Sequence, residues 1–312
     1  MFSSGSSKMV RPPNRTLSPL ICRARLSYSL PRHTPPQTSS STAHIIPPPS
    51  TASPSSGKVH SKAQEKSKDE SLQLPVLPRP LGVPNPPTSR PKTWGEKRDE
   101  LLDEDRHKAK RKALIKEASQ GYFHDYNRAR SANGGKLWTA PPVLIREDMA
   151  QYFPDIQGKA LTGETVHTTD LLLGKVTLLA ILSTRLSEEH VSSFCQPVLD
   201  DWSTSPLFSH IQINHQDNLL KSLLLNFLVS SLKRTVPQNR WGTYMISGGE
   251  WSSYDMTSPL GIENKLLGYV YLIDPNAKIR WAGNAMASEE EVDNLRRATA
   301  VLMRRLVKEE VN

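Results

Sequence analysis

The 312-residue chain carries 40 Lys and Arg against 31 Asp and Glu, a formal net charge of +9. Eight basic residues and no acidic one precede Glu65, which leaves 32 basic and 31 acidic side chains for residues 65–312; the excess charge belongs to the leader and excludes a strongly basic, nucleic-acid-binding body. Two cysteines, Cys22 and Cys195, exclude a disulfide framework or a cysteine zinc site, and no apolar run approaches the about 18 residues of a membrane span.

Taken in chain order, residues 1–33 spread Arg11, Arg15, Arg23, Arg25 and Arg32 through a Ser-rich stretch without a carboxylate. That composition predicts a mitochondrial transit peptide, with a disordered basic tail or a plastid transit peptide as alternatives, and the N-terminus lacks the continuous apolar core of a secretory signal. Residues 34–92 hold Pro47-Pro48-Pro49, Pro84, Pro86-Pro87 and many Ser and Thr, the composition of a disordered linker. Residues 93–119 read as one charged helix, acids leading and bases following in the sense that suits the helix dipole. Its thin apolar set, Leu101, Leu102, Leu114 and Ile115, predicts a solvated helix, or else a surface for a basic-tolerant partner or anionic lipid.

Residues 120–312 form the expected globular domain. Val176–Leu182 predicts a central strand buried on both faces. Ser187-Glu188-Glu189 reads as an N-cap opening a helix toward Leu199. His210 to His215 alternates as a second strand, and the apolar positions 219, 220, 223, 224, 227, 228 and 232 predict a buried helix. Gly268–Asp274 and Lys278–Trp281 predict two further strands, joined by the turn Asp274-Pro275-Asn276-Ala277, where Pro presets φ and Asp caps. Ser288-Glu289-Glu290-Glu291 is a capping box for a last helix whose Val292, Leu295, Thr299, Leu302 and Leu306 share one face, with Arg296, Arg297, Arg304 and Arg305 off it.

The order β-α-β-α-β-β-α predicts an α/β, thioredoxin-like domain. Tyr271-Leu-Ile-Asp-Pro with Lys278-Ile-Arg-Trp resembles the closing hairpin of peroxiredoxins, and Gly174-Lys-Val-Thr-Leu-Leu-Ala-Ile-Leu resembles the strand that delivers their catalytic cysteine. Such chemistry needs a cysteine at the first turn of the next helix, where free N–H groups stabilise a thiolate. Ser183-Thr184-Arg185-Leu186-Ser187 stands there instead, and Cys195 falls about two turns further on, where it reads as a packed, inert thiol. Arg185, at the vacated position, is a candidate contact for an acidic group on a partner, with a surface ion pair as its alternative role. His210 and His215 are five apart and fall on opposite strand faces, so they form no ligand pair. Gly134-Gly135-Lys136 and Gly174-Lys175 lack the spacing of a phosphate loop, and Gly248-Gly249 reads as a turn. No enzymatic activity, cofactor or metal is expected; the rival reading is a peroxiredoxin-like thiol oxidoreductase using Cys195, and a third is a structural subunit of a respiratory complex.

Several stretches carry a family resemblance: Gly121-Tyr-Phe-His-Asp-Tyr, Trp138-Thr-Ala-Pro-Pro, Tyr152-Phe-Pro-Asp-Ile-Gln-Gly, Leu173-Gly-Lys-Val-Thr-Leu-Leu, Tyr271-Leu-Ile-Asp-Pro and Ile279-Arg-Trp-Ala-Gly. Over about residues 90–312 the chain resembles fungal-type members of the mitochondrial F-type ATP synthase assembly factor family, the chaperones of membrane-sector subunit a (subunit 6). The resemblance implies a peripheral protein on the matrix side of the mitochondrial inner membrane that binds newly made subunit a and promotes its joining to the subunit c ring, with no nucleic acid among its partners. It supplies no active-site residues. The aromatic residues Tyr122, Phe123, Tyr126 and Trp138 are the candidate client contacts, with packing onto the sheet as their alternative role.

Overall fold

The computed structural model describes residues 74–119, 123–131, 133–216, 222–249 and 251–311; the expected transit peptide 1–33 and the linker as far as residue 73 lie outside them. Residues 74–92, expected as linker, instead run along the body. Val76 and Val83 form isolated bridges with Thr139 and Tyr152, Gly82 N–H donates to Pro259 O at 2.9 Å, and Leu81 is buried in the core. Prolines at 75, 78, 80 and 84 restrict φ and so lower the entropy lost when this stretch is laid down as an extended strap.

The expected single charged helix is two, α1 (Trp94–Leu102) and α2 (Glu104–Ala118), broken at Asp103. Asp103 is extended (φ −73°, ψ 98°), and its carboxylate accepts the Arg106 N–H at 3.0 Å, so it stops one helix and caps the next. α2 docks on the π-helical turn Ser253–Thr257, where Asp255 takes both Arg106 (2.7 Å) and Lys110 (3.1 Å). A short α3 (His124–Ala129) follows.

The sheet comprises β1 (Gln157–Ala160) and β2 (Thr165–His167), then, after α4 (Thr168–Leu172), β3 (Val176–Leu182), α5 (Arg185–Trp202), β4 (Phe208–Gln216), α6 (Ser222–Thr235), β5 (Tyr244–Gly248), β6 (Tyr269–Ile273), β7 (Ile279–Asn284) and α7 (Glu289–Val311). The strand order is β2-β1-β5-β4-β3-β6-β7, with β3, β4 and β5 parallel and the other pairings antiparallel. The β3-α5-β4 crossover with the β6-β7 hairpin and α7 is a thioredoxin-like arrangement. β3 is buried along its whole length, as its apolar run predicts. The hairpin β1-β2 and strand β5 were not expected: Gln157-Gly-Lys-Ala and Thr165-Val-His are short and polar, and Tyr244-Met-Ile is too short a run to separate from a loop. Gly248 closes β5, and Gly249 turns the chain at φ +88°.

One sheet face packs Leu179, Ile181, Ile211, Ile213, Met245 and Tyr271 against the strap, Trp138, Phe153 and the 251–262 segment. The other face is covered by helices: Leu178, Ala180, Leu182, Val270 and Trp281 meet α5 and α7, while Tyr244 and Ile246 meet Leu228, Val229 and Leu232 of α6. The turn Asp274–Ala277 forms as predicted, with Asp274 Oδ1 accepting from the Asn276 and Lys278 N–H groups at 3.0 Å and Ala277 at φ +62°. The Ser288 capping box also forms, and Leu295, Thr299, Leu302 and Leu306 lie buried while the four arginines face outward. Among the described residues, no helix is long and apolar enough to cross a membrane.

Candidate functional site

In open parallel sheets the carboxyl ends of the strands are where ligands meet the fold. Here that edge is the junction of β3, β4 and the first turn of α5. The N-cap is Thr184 rather than Ser187, because Thr184 is the extended residue (φ −132°, ψ 167°) and its hydroxyl accepts the Ser187 N–H at 3.1 Å. Ser187 is the third helical residue, and its Oγ accepts the Ser183 and Thr184 N–H groups, each at 2.9 Å. Ser183 Oγ and Thr184 Oγ1 in turn donate to Lys265 O (2.5 Å) and Leu266 O (3.1 Å), tying the helix start to the loop before β6. A side chain at Gly268 would meet Ser187 O at 2.6 Å, so only glycine lets β6 begin this close to α5. The chain's own hydroxyls fill the place where a thiolate would sit.

Cys195 lies ten residues into α5, about 15 Å along the axis. It is fully enclosed, and burial pushes its thiol up to about 12. At neutral pH it is a protonated, inaccessible group.

A groove of 470 Å³ opens beside this helix start. Leu228 and Leu232 of α6 and Leu182 supply its apolar wall, Asn214 and Gln216 its polar floor, and Arg185, Glu188 and Glu189 its rim. The floor continues a polar row on the helix-facing side of β4: His210, Gln212, Asn214 and Gln216. Gln212 accepts from Arg240 (2.8 Å), Asn214 Nδ2 donates to the Tyr244 hydroxyl (3.2 Å), and Gln216 Nε2 donates to Ser183 O (3.0 Å). The row separates the apolar cluster under α5 and α7 from the one under α6, so the two helices meet over polar ground. Alternation in His-Ile-Gln-Ile-Asn-His was the available signal for it: a central strand of this fold is expected to be apolar on both faces, and one face here is not.

His210 and His215 do lie on opposite faces. His215 stacks on Trp251 with ring centroids 3.8 Å apart, on the strap side. His210 sits on the helix side with neither ring nitrogen hydrogen-bonded, and burial, reinforced by the Arg240 charge, lowers its pKa to about 3. Its unfolded value is about 6.5, so its contribution to stability is complete above that pH and is lost as pH falls from 6.5 toward 3. His190, lowered by burial and accepting the Gly268 N–H, acts in the same direction. Carboxylates held down by partners, such as Glu96 at about 2, begin to lose stability only below about 4.3. Urea unfolding between pH 6.5 and 4.5 is therefore expected to show stability falling by up to about 1.4 kcal/mol per pH unit for His210, and His210→Leu is expected to flatten that slope. An unchanged slope in the variant would show that His210 is not the titrating group.

The candidate partner residues are dispersed. Arg185 is 92% exposed at the groove rim, with Glu189 3.9 Å away. Phe123 and Tyr126 are exposed at α3, where Arg130 lies 5.4 Å from the Tyr126 ring; Tyr122 is outside the described residues. Trp138 is a core residue: Asn284 accepts the Leu137 N–H (2.9 Å) and donates to Trp138 O (2.8 Å), holding the indole inward. A second cleft, of 870 Å³, lies between the strap at 77–81, α2, α3 and residues 253–265, and Trp138 and Arg128 reach its wall. Leu228, Leu232, Asn214 and Gln216 line the groove without any motif in the sequence that marks them as site residues. Among the described residues, no three His, Cys, Asp or Glu side chains are grouped to hold a metal.

Comparison with known proteins gives a family profile, described as ATP10 protein, that matches residues 60–302. The mitochondrial ATPase complex subunit ATP10 of Candida glabrata is 30% identical over 70% of this chain and 81% of its own. Its namesake in Saccharomyces cerevisiae is 29% identical over 70% of this chain and 84% of its own. Among solved structures, a secreted thiol-disulfide isomerase from Corynebacterium glutamicum is 14% identical over 51% of this chain and 91% of its own, with a TM-score of 0.35. A SCO1/SenC family lipoprotein from Bacillus anthracis is 16% identical over 48% and 93%, with a TM-score of 0.34.

Proposed function

This chain belongs to the ATP10 protein family, and we propose that it is a non-enzymatic assembly factor of the mitochondrial ATP synthase, which binds newly made subunit a (subunit 6) and promotes its joining to the subunit c ring. On this reading it works at the matrix side of the inner membrane as a peripheral protein, after a transit peptide at residues 1–33 has directed it there. The observation that supports a holding role is the groove over β4. Its helix start is sealed by Ser183, Thr184 and Ser187, it has no thiol, and it offers an apolar wall beside hydrogen-bonding side chains. An apolar segment laid on Leu228 and Leu232 would lie beside Gln216, which Asn214 and Ser183 hold in place through its Nε2. Exposed Phe123 and Tyr126 add aromatic surface at α3.

The test is a pull-down of the tagged protein from mitochondria whose own translation products have just been radiolabelled. Subunit a is expected in the early eluate and not after assembly is complete. Leu228→Ser with Arg185→Glu is expected to cut its recovery at least about tenfold, the loss of one apolar contact and one rim charge, while Cys195→Ser recovers it fully. Capture abolished by Cys195→Ser would turn the reading to thiol chemistry. Near-stoichiometric recovery with the finished complex would make the protein a resident subunit instead.

A further inference from the structure

At 100° per residue, α1 divides cleanly by charge. Its three acids, Glu96, Asp99 and Glu100, share one side, and Trp94, Lys97, Arg98, Leu101 and Leu102 share the other. Two acids of that side are tied to other segments: Glu96 pairs with Arg90 and accepts the Thr93 N–H, and Glu100 takes Lys92 and, at 2.7 Å, Arg106, which continues to Asp255 on the body; Asp99 lies 3.6 Å from the neighbouring Arg98, a solvent-exposed pair. The opposite side is left outward. Trp94 is 89% exposed, Leu101 69% and Leu102 70%, with Lys97 5.7 Å from the Trp94 ring. α2 follows after a single residue and adds Arg111, Lys112 and Lys116, none with a carboxylate within ion-pair distance among the described residues, around exposed Leu114 and Ile115.

We propose that this face of α1 is a membrane foot, which lays Trp94, Leu101 and Leu102 into the headgroup boundary of an anionic bilayer while Lys97, Arg98 and the free cations of α2 meet lipid phosphates. The inference rests on the peripheral-membrane reading above and identifies the surface that would make the attachment. Charge decides the occupant. The chain's own residues 1–64 carry eight basic and no acidic side chains and so do not complement this face, and a second copy docked symmetrically through it would present the same cations. None of the five α1 residues lines either cleft described above. An indole and two leucines flanked by snorkelling cations are what an acyl-chain boundary with anionic headgroups accommodates.

The leader's cations will also attract anionic vesicles, so total sedimentation does not discriminate and the readout must be local. Hydrogen–deuterium exchange of the full-length protein would be followed over residues 94–102, with phosphatidylcholine vesicles and with phosphatidylcholine–phosphatidylglycerol vesicles, and with no subunit a present. Exchange there is expected to slow about tenfold or more on the anionic vesicles alone. Lys97→Glu with Arg98→Glu, and separately Leu101→Ser with Leu102→Ser, are each expected to abolish the slowing. All four side chains are exposed, so the melting temperature without lipid should stay unchanged. No slowing over 94–102, equal slowing on neutral vesicles, or slowing that survives either double substitution overturns the proposal. Those results would leave the subunit a reading standing, since that is judged by capture from mitochondria.

Discussion

Glu291→Ala is expected to lower the free energy of unfolding by about 3–5 kcal/mol, read as a shift of the urea midpoint at constant m. The carboxylate is almost wholly buried and has three tasks. One oxygen accepts the Ala140 N–H at 2.8 Å; the other accepts the Ser288 N–H at 2.9 Å and pairs with the Lys136 ammonium. Lys136 also donates to Met286 O at 2.8 Å and is itself only 10% exposed. Truncation therefore strands a buried cation and two backbone donors and removes half of the box that caps α7. Lys136→Met combined with Glu291→Leu should recover much of the loss, because no uncompensated charge is then buried. A cost below about 1 kcal/mol for Glu291→Ala would mean that water reaches Lys136 and that the 136–140 segment is held by other contacts.

Asp274→Ala is expected to cost a similar amount, about 3–5 kcal/mol, through a different mixture of causes. Asp274 and Arg280 are each 4% exposed at the side chain and pair at 3.0 Å; Arg280 Nε also donates to Ile145 O at 2.8 Å. Asp274 Oδ1 holds the turn between β6 and β7 through two N–H groups. Asp274→Asn can retain those turn bonds through its amide oxygen, but it removes the charge and turns an amide N–H toward the Arg280 guanidinium, so its cost reports the loss of the ion pair apart from the turn. Its cost, together with Arg280→Met and the double variant, gives the coupling energy of the pair. If Asp274→Asn is as stable as the parent, the ion pair contributes nothing net and the turn bonds carry the whole effect.

The stretches that carry the family resemblance turn out to be fasteners. Trp138 and its neighbours are clipped by Asn284 and Glu291, Pro141 O accepts the Trp281 indole N–H at 2.9 Å, and Phe153 meets Tyr271 edge-on with ring centroids 5.7 Å apart. Their residue types are legible because a buried indole, a buried ion pair and a capping box each demand a particular side chain. The groove is harder to read. Leu228 and Leu232 look like ordinary helix core in a linear chain, and Gln212, Asn214 and Gln216 look like a wetted strand face; only their approach across α6 and β4 makes a wall and a floor. The strap at 74–92 escapes a sequence reading for a related reason: its composition matches a linker, yet Leu81 finds a place in the core that no local pattern announces.

Local rules of the chain are enough for the elements whose signals are periodic or chemical: the two-sided burial of β3, the turn at Asp274, the stripe and cap of α7, and the absence of a cysteine at the start of α5. Each depends on residues a few positions apart, so sequence spacing maps directly onto geometry. Tertiary structure alone decided the inward turn of Trp138, the isolation of His210 and the outward face of α1. These depend on which distant segment comes to lie alongside. The free energy that selects among such placements comes from burial and pairing between residues tens to hundreds of positions apart, and one-dimensional spacing carries no record of it.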